Sequence, residues 1–335
     1  TVKTITVIVN NGSARQPKVL SAVNQGGQVT FQGLVPPPQE MWRVDQPPAK
    51  EVQPSRLPLR KDAPQPLGLS PAQQVTVLGV EMRAQTPEGT AEAEGIMIPV
   101  GADYRWSVTA ALGPGQQEVS FRSHASNGAT SPWVTVQVDP AALPTQARLL
   151  TQGYDGYAGA QETFVSLWGP ETNFQWEKLL KVRSHEVIKG LSRFDLGPLA
   201  GVSGAQVANA KLVLWNVGRS NNQALTLEAL PLVAAWEKAQ ATWLQAKAGA
   251  PWAMPGAGAT PDDYLPAPVA SGALTPDDWV VLDVTPLVQG WLDGSLPAQG
   301  FLLRGVSSGA VEYTLGSSQH TQSGFRPTLV VEWTP

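Results

Sequence analysis

No cysteine occurs in the 335 residues, so the chain carries no disulfide framework and no thiolate chemistry. Histidine is nearly as scarce: His124, His185 and His320 each lie in a polar stretch, and no two are close in sequence. Neither an H-E-x-x-H helix nor a G-x-S-x-G elbow is present, which removes the common metalloprotease and hydrolase signatures. Charged residues make up 15% of the chain, well below the average of roughly 25%. A long coiled coil needs abundant Glu, Lys and Arg, and is excluded. The net charge of −4 and the scattering of the 23 basic residues argue against nucleic acid, whose phosphates need clustered cations. No apolar run approaches the ~20 residues that span a bilayer, so no membrane span is expected.

Glycine (32) and proline (30) are abundant, 42% of the residues are hydrophobic, and twelve are tryptophan. A disordered chain is poor in hydrophobic residues and high in net charge. The composition is that of a turn-rich, all-β globular protein, long enough to bury a core without staples. The sequence opens Thr1-Val2-Lys3-Thr4-Ile5 and runs directly into strand-like residues. Two processing routes fit that opening. One is removal of a signal peptide, which implies secretion; the other is excision of Met before a small residue, as in a virion protein.

The chain divides by composition. Residues 1–35 hold strand patterns at Thr4–Val9 and Gln28–Leu34, separated by the turn signal Asn10-Asn11-Gly12. Residues 36–72 contain ten prolines, the mark of a stiff, extended arm or linker. Met41, Trp42, Val44, Leu57 and Leu59 favour an arm that lies along another surface. Residues 73–139 read as five short strands, at Val75–Val80, Ile96–Val100, Tyr104–Thr109, Glu118–Arg122 and Trp133–Val138. Trp106 and Trp133 are expected in their core. Residues 140–147 form a linker, and 148–335 one larger β-rich unit.

The residues Pro99–Ser107, Leu112–Gln117 and Ser126–Ser131 resemble bacterial immunoglobulin-like modules. Such a sandwich wants about seven strands, and five leave unpaired edges. The strands of 1–35 can fill the gap within the chain, or they can be donated to a neighbouring subunit and so build a polymer.

The C-terminal unit shows an ordered set of motifs. They are R-F-D-L (193–196), A-K-L-V-L (210–214), Trp236-Glu237 with Thr242-Trp243, W-V-V-L-D-V-T (279–285), V-Q-G-W (288–291), G-F-L-L-R (300–304) and P-T-L-V-V (327–331). A helix-like patch is expected at Val233–Glu237. A short helix is expected over Pro286–Leu292, with Thr285 as its N-cap. In this order the motifs resemble the disaggregatase-related (DNRLRE) domain, a carbohydrate-binding-module-like jelly roll. The resemblance implies a two-sheet jelly roll of secreted or cell-surface proteins, usually non-catalytic and in some cases associated with polysaccharides. The chain departs from it at 253–266, where a Gly- and Pro-rich loop replaces a compact Gly-Gly-Asp turn.

The expected architecture is therefore all-β: an immunoglobulin-like β-sandwich followed by a larger jelly-roll β-sandwich, with a Pro-rich extended connector. Trp236, Trp243, Trp279 and Trp291 belong to the motifs and to the core. Outside the motifs, Tyr154, Tyr157, Trp168, Trp176, Trp252 and Tyr264 are candidates to stack on a sugar or on a partner protein. Asp262 and Asp263, in a Gly-rich loop with Thr260, are candidate ligands for a structural calcium ion; no other cofactor is expected. The reading this supports first is a non-enzymatic extracellular structural or adhesive surface protein, a subunit of a filament or layer that self-associates or meets another surface protein. Its alternatives are a carbohydrate-binding protein that holds a polysaccharide, and a virion surface or fibre protein. A polysaccharide lyase or hydrolase is the weakest.

Overall fold

Gly26 and Gly27, at φ of 61° and 85°, make the two-residue turn between β1 (Lys18–Gln25) and β2 (Gln28–Leu34). Positive φ at both central positions is what a type I′ hairpin demands, and glycine adopts it without steric strain. The structure, a computed structural model, describes residues 13–38, 75–85 and 96–335. The strand expected at Thr4–Val9, most of the proline-rich arm and Trp42 lie outside the described residues.

β2 pairs antiparallel with β5 (Arg105–Ala111), from Gln28 opposite Ala111 to Leu34 opposite Arg105. The order β1-β2-β5 is one sheet. The second is β4-β3-β6-β7, built from β3 (Val77–Gln85), β4 (Ile96–Pro99), β6 (Gln117–Ala125) and β7 (Val134–Val138). Residues 18–34 thus supply two of the seven strands described here, and they do so within their own chain. Strict alternation of buried and half-buried residues along β6 points Val119 and Phe121 inward, where Phe121 meets Phe31 and Trp106 at ring distances of 5.3 and 5.0 Å. Trp133 is not in this core; it lies half-buried beneath Arg83 and Arg122.

The segment expected as a linker holds a single 3-10 turn at Pro140–Ala142 and enters β8 (Gln146–Thr151). Twelve further strands follow in order: β9 (Ala160–Ser166), β10 (Leu179–Arg183), β11 (Ile188–Phe194), β12 (Val207–Arg219), β13 (Thr226–Pro231), β14 (Gln245–Lys247), β15 (Ala250–Pro251), β16 (Ala270–Ala273), β17 (Asp278–Asp283), β18 (Phe301–Val306), β19 (Glu312–Gly316) and β20 (Thr328–Trp333). The helix α1 (Thr285–Leu292) sits between β17 and β18. All but the small β14–β15 hairpin join one curled antiparallel sheet. Its two walls are β8-β20-β12-β17 and β9-β11-β18-β13-β16, joined at one side through β10 and β19. Between them Phe164, Leu212, Leu214, Phe301, Leu303 and Tyr313 form the main core, and α1 adds Leu287, Val288 and Trp291.

Two local expectations are corrected. Val233–Glu237 forms no helix: the chain leaves β13 extended, and Trp236 is fully buried with its Nε1–H donating to Gln299 O at 2.8 Å. Thr285 is the first helical residue and not the cap. The Asp283 carboxylate accepts from Thr285 N and Oγ1 at 3.0 and 2.7 Å, and these bonds hold that carboxyl below its ordinary pKa.

The two sandwiches share a core. The β1–β2 hairpin turns Leu20 and Leu34 onto Val213, Trp215, Trp279 and Val330 of the first C-terminal wall. Trp215 stacks on Phe325 at 4.2 Å, and Phe325 stacks in turn on Tyr104 at 5.4 Å. Polar bonds rim the seam: Ala22 N donates to Glu332 Oε1 (2.7 Å), Lys211 Nζ to Leu20 O (2.6 Å), and Lys18 pairs with Asp278 (3.1 Å). Burial of this kind couples the unfolding of the two halves. Trp215→Ala is expected to remove about 3–5 kcal/mol of stability. It should also split a single calorimetric transition into two; a variant that melts in one transition at the parental temperature contradicts the seam.

Candidate functional site

The six aromatic residues singled out in the sequence separate by burial. Trp252 and Tyr264 are buried in a layer over the outer face of the second wall, with Val165, Leu191, Leu230 and Leu302. Tyr157 is buried in the main core, its hydroxyl donating to Asp195 O at 3.1 Å; burial pushes its pKa well up. As ligand platforms these three are corrected to packing residues, because an enclosed ring offers no face to a solute. Tyr154 is half-buried at the seam, where the Arg105 guanidinium lies 4.5 Å from its ring centre. Trp168 and Trp176 are 63% and 77% exposed, and both belong to the β9–β10 loop.

A large apolar side chain in water needs a reason, and here the loop beneath it is fixed. Phe174 stacks on Phe164 of the core at 4.1 Å. Asn173 Nδ2 donates to Lys238 O (2.9 Å) and Ala241 O (2.7 Å), and its Oδ1 accepts from Gln175 N. Leu244 N reaches Pro170 O, Ser317 N reaches Lys178 O, and Ser317 Oγ donates to Glu177 O at 2.7 Å. The Arg183 guanidinium packs on the Trp168 ring at 4.6 Å. Beside Trp168 opens a cleft of about 290 Å³, at the low end of the ~300–1,000 Å³ usual for small-ligand sites. Phe164, Phe174 and Ile188 give it an apolar floor, and Ser166, Glu177, Lys181 and Glu312 a polar edge. Glu312 is held by Lys181 at 3.5 Å and Arg183 at 3.9 Å. An indole, an apolar floor and a few polar groups can hold a ring that has an apolar face and a hydroxylated rim.

Sequence reasoning found the two tryptophans but not Phe174, Lys181 or Glu312. The Gly169-Pro170 pair signals the loop. Nothing local signals that Glu312, on a strand far along the chain, sits opposite Arg183 of β10.

Under the loop lies Glu162, whose side chain is enclosed on the inner face of β9. Its Oε2 accepts from Ser318 N at 2.9 Å, while Oε1 has no partner and neither does Ser192 Oγ, its cross-strand neighbour. Burial raises the Glu162 carboxyl above its ordinary pKa, and the bonds from Ser318 and the charge of Lys238 offset only part of that.

The loop at 253–266 is organised by Asp263. Asp263 is buried; Oδ1 accepts from Ala253 N (2.9 Å) and Oδ2 from Met254 N (3.1 Å) and Ala259 N (2.9 Å). Its own carbonyl accepts from Val233 N and Ala234 N. Its carboxylate is already taken by backbone donors, and Asp262 is exposed. Among the described residues no group of three or more His, Asp or Glu side chains is placed to hold a metal. This arrangement gives the calcium expectation at Asp262 and Asp263 no support.

Three outcomes follow from these carboxylates. The folded state holds the Glu162 proton to higher pH than the unfolded chain, so its burial costs more as pH rises past the ordinary value of 4.5. Glu162→Gln should be more stable than the parent at neutral pH, with the difference fading below pH 4.5 in urea titrations; equal stability across that range contradicts the upward shift of the Glu162 carboxyl. Asp263→Asn, which cannot accept at both oxygens, should lose about 2–3 kcal/mol. Chelators and added calcium should leave the parental melting temperature unchanged, and a calcium-dependent rise would restore the metal reading.

No known family's sequence profile matches the chain, and no curated protein does. Among solved structures it is similar to an alpha-L-rhamnosidase from Dictyoglumus thermophilum, at 8% identity and a TM-score of 0.23. That alignment takes in 97% of this chain but spans 28% of the rhamnosidase, and a score so low identifies neither a shared fold nor a shared activity.

Proposed function

We propose that this chain is a non-enzymatic extracellular adhesive protein that holds a polysaccharide on the β9–β10 loop. The observation that carries the reading is the pair of exposed indoles, Trp168 and Trp176, on a loop fixed at both flanks beside a polar-edged cleft. Sugar rings present C–H faces that stack on indole and hydroxyls that bond to groups such as Ser166, Glu177 and Lys181. A fixed loop has little freedom left to lose on binding, so stacking energy appears as affinity. The resemblance of residues 148–333 to disaggregatase-related modules points the same way. The filament reading has less support: β2, one of the two strands it would donate, pairs with β5 inside the chain.

Affinity electrophoresis through gels containing soluble polysaccharides tests the proposal. The parent should be retarded by at least one polysaccharide, whose chain length stays unchanged on incubation. Trp168→Ala and Trp176→Ala should each weaken retention about 10- to 30-fold, the scale of an aromatic anchor, with melting temperatures unaltered. Mobility that no polysaccharide changes, together with self-association lost in both variants, would assign the loop to a protein contact instead.

A further inference from the structure

The outer face of the β4-β3-β6-β7 sheet carries a second cluster, separate from the tryptophan loop. Glu81 of β3 stands opposite Arg122 of β6, Arg83 opposite Ser120, and Gly79 opposite His124. Glu81 is 6% exposed, and its carboxylate accepts from Arg122 Nε (2.6 Å), His124 Nε2 (2.8 Å) and Arg83 Nε (3.0 Å). Burial alone would raise its pKa, but Arg122, His124 and Arg83 hold it below the ordinary value. Both guanidiniums also lie over the Trp133 ring, Arg83 at 4.7 Å and Arg122 at 4.5 Å. The Arg83 and Arg122 side chains remain 41% and 25% exposed.

Each arginine thus spends Nε on one shared carboxylate and a guanidinium face on one shared indole. The Nη1 and Nη2 groups of both make no hydrogen bond to another described residue. Among the described residues, two fixed positive charges stand against one carboxylate. The next acidic side chain on this face among the described residues, Glu118, is bonded to Gln137 Nε2 at 3.0 Å. A surface arginine that serves only solubility keeps its rotamer freedom; these two have lost it before any ligand arrives. Guanidinium forks bind planar and tetrahedral oxyanions by paired N–H donors.

We propose that Arg83 and Arg122, held by Glu81 and Trp133, form a binding site for an oxyanion group, carboxylate or sulfate, of a ligand that crosses this face. The site is independent of the tryptophan loop and stands or falls without it. Trp133 acts as a positioning residue that keeps the two forks together.

The test is a titration of the full chain with sodium glucuronate and with sodium sulfate, followed through the arginine Nε–H signals in ¹H–¹⁵N spectra. Sodium chloride at matched ionic strength is the reference. The expected result is a saturable shift of the Arg83 and Arg122 signals with at least one of the two anions, at least tenfold tighter than with chloride. The tighter of the two anions identifies a planar or a tetrahedral preference. The double variant R83Q/R122Q should lose saturable binding, and R83K and R122K, which keep the charge but not the fork, should each weaken it several-fold. Shifts that only track ionic strength, as chloride's do, or saturable binding that survives in R83Q/R122Q, would overturn the proposal. If the double variant does not fold, the lysine variants decide: affinity unchanged in both overturns it.

Discussion

A single buried carboxylate ties together the layer on which the candidate site rests. Asp263 gathers three backbone N–H groups through its side chain and two more through its carbonyl. Those bonds fold the 253–264 segment tightly enough for Trp252 and Tyr264 to close over the outer face of the second wall. The wall is consequently apolar on both sides, with the main core within and this layer without. Residues 238–244, part of the same covering layer, offer Lys238 O and Ala241 O to Asn173, and Leu244 N donates to Pro170 O. A carboxylate placed to satisfy backbone donors therefore reaches, through two further sets of hydrogen bonds, the loop that presents Trp168 and Trp176. An unsatisfied donor in such a layer would cost about 1–3 kcal/mol, which is why the loop has little alternative to this path.

The seam between the sandwiches follows a related logic. The β1–β2 hairpin has an apolar residue on each face, so one hairpin fills two cores at once: Phe31 and Val29 inward, Leu20 and Leu34 toward Trp215 and Trp279. Arg105 extends the contact, its guanidinium held by Asp103 at 3.0 Å and Thr151 at 3.2 Å and stacked on Tyr154. A hairpin used in this way is committed to its own chain.

Much of the fold was legible in the sequence because its strands are long and alternating or rich in β-branched residues. β6, β12, β17 and β20 fall within a few residues of the spans expected from pattern alone. β1 was not read, although Gly26-Gly27 announces its turn, because Lys18–Gln25 mixes small and polar residues with few β-formers. β9, β10 and β19 were missed for a different reason: their apolar residues are interrupted by charges such as Glu162, Lys181 and Glu312 that only the assembled site explains. The aromatic residues could be sorted by type but not by burial. Trp252 and Trp168 both sit in Gly- and Pro-rich loops, and only the packing of the 232–264 segment over the wall separates them. Asp263 reads as a calcium ligand in sequence because the same oxygens that coordinate a cation also accept backbone N–H groups. Trp133 reads as core because the arginines above it lie on other strands.

The central claim is that the β9–β10 loop is fixed before any ligand is bound. Hydrogen exchange of the native protein, resolved to peptides covering 167–178 and 236–244, measures this directly. The account predicts that Thr172, Glu177 and Leu244 amides, each bonded to a backbone carbonyl, exchange on the slow timescale of the neighbouring strands. Exchange of the whole loop at the rate of an unprotected peptide, while β9 and β11 stay protected, would contradict it.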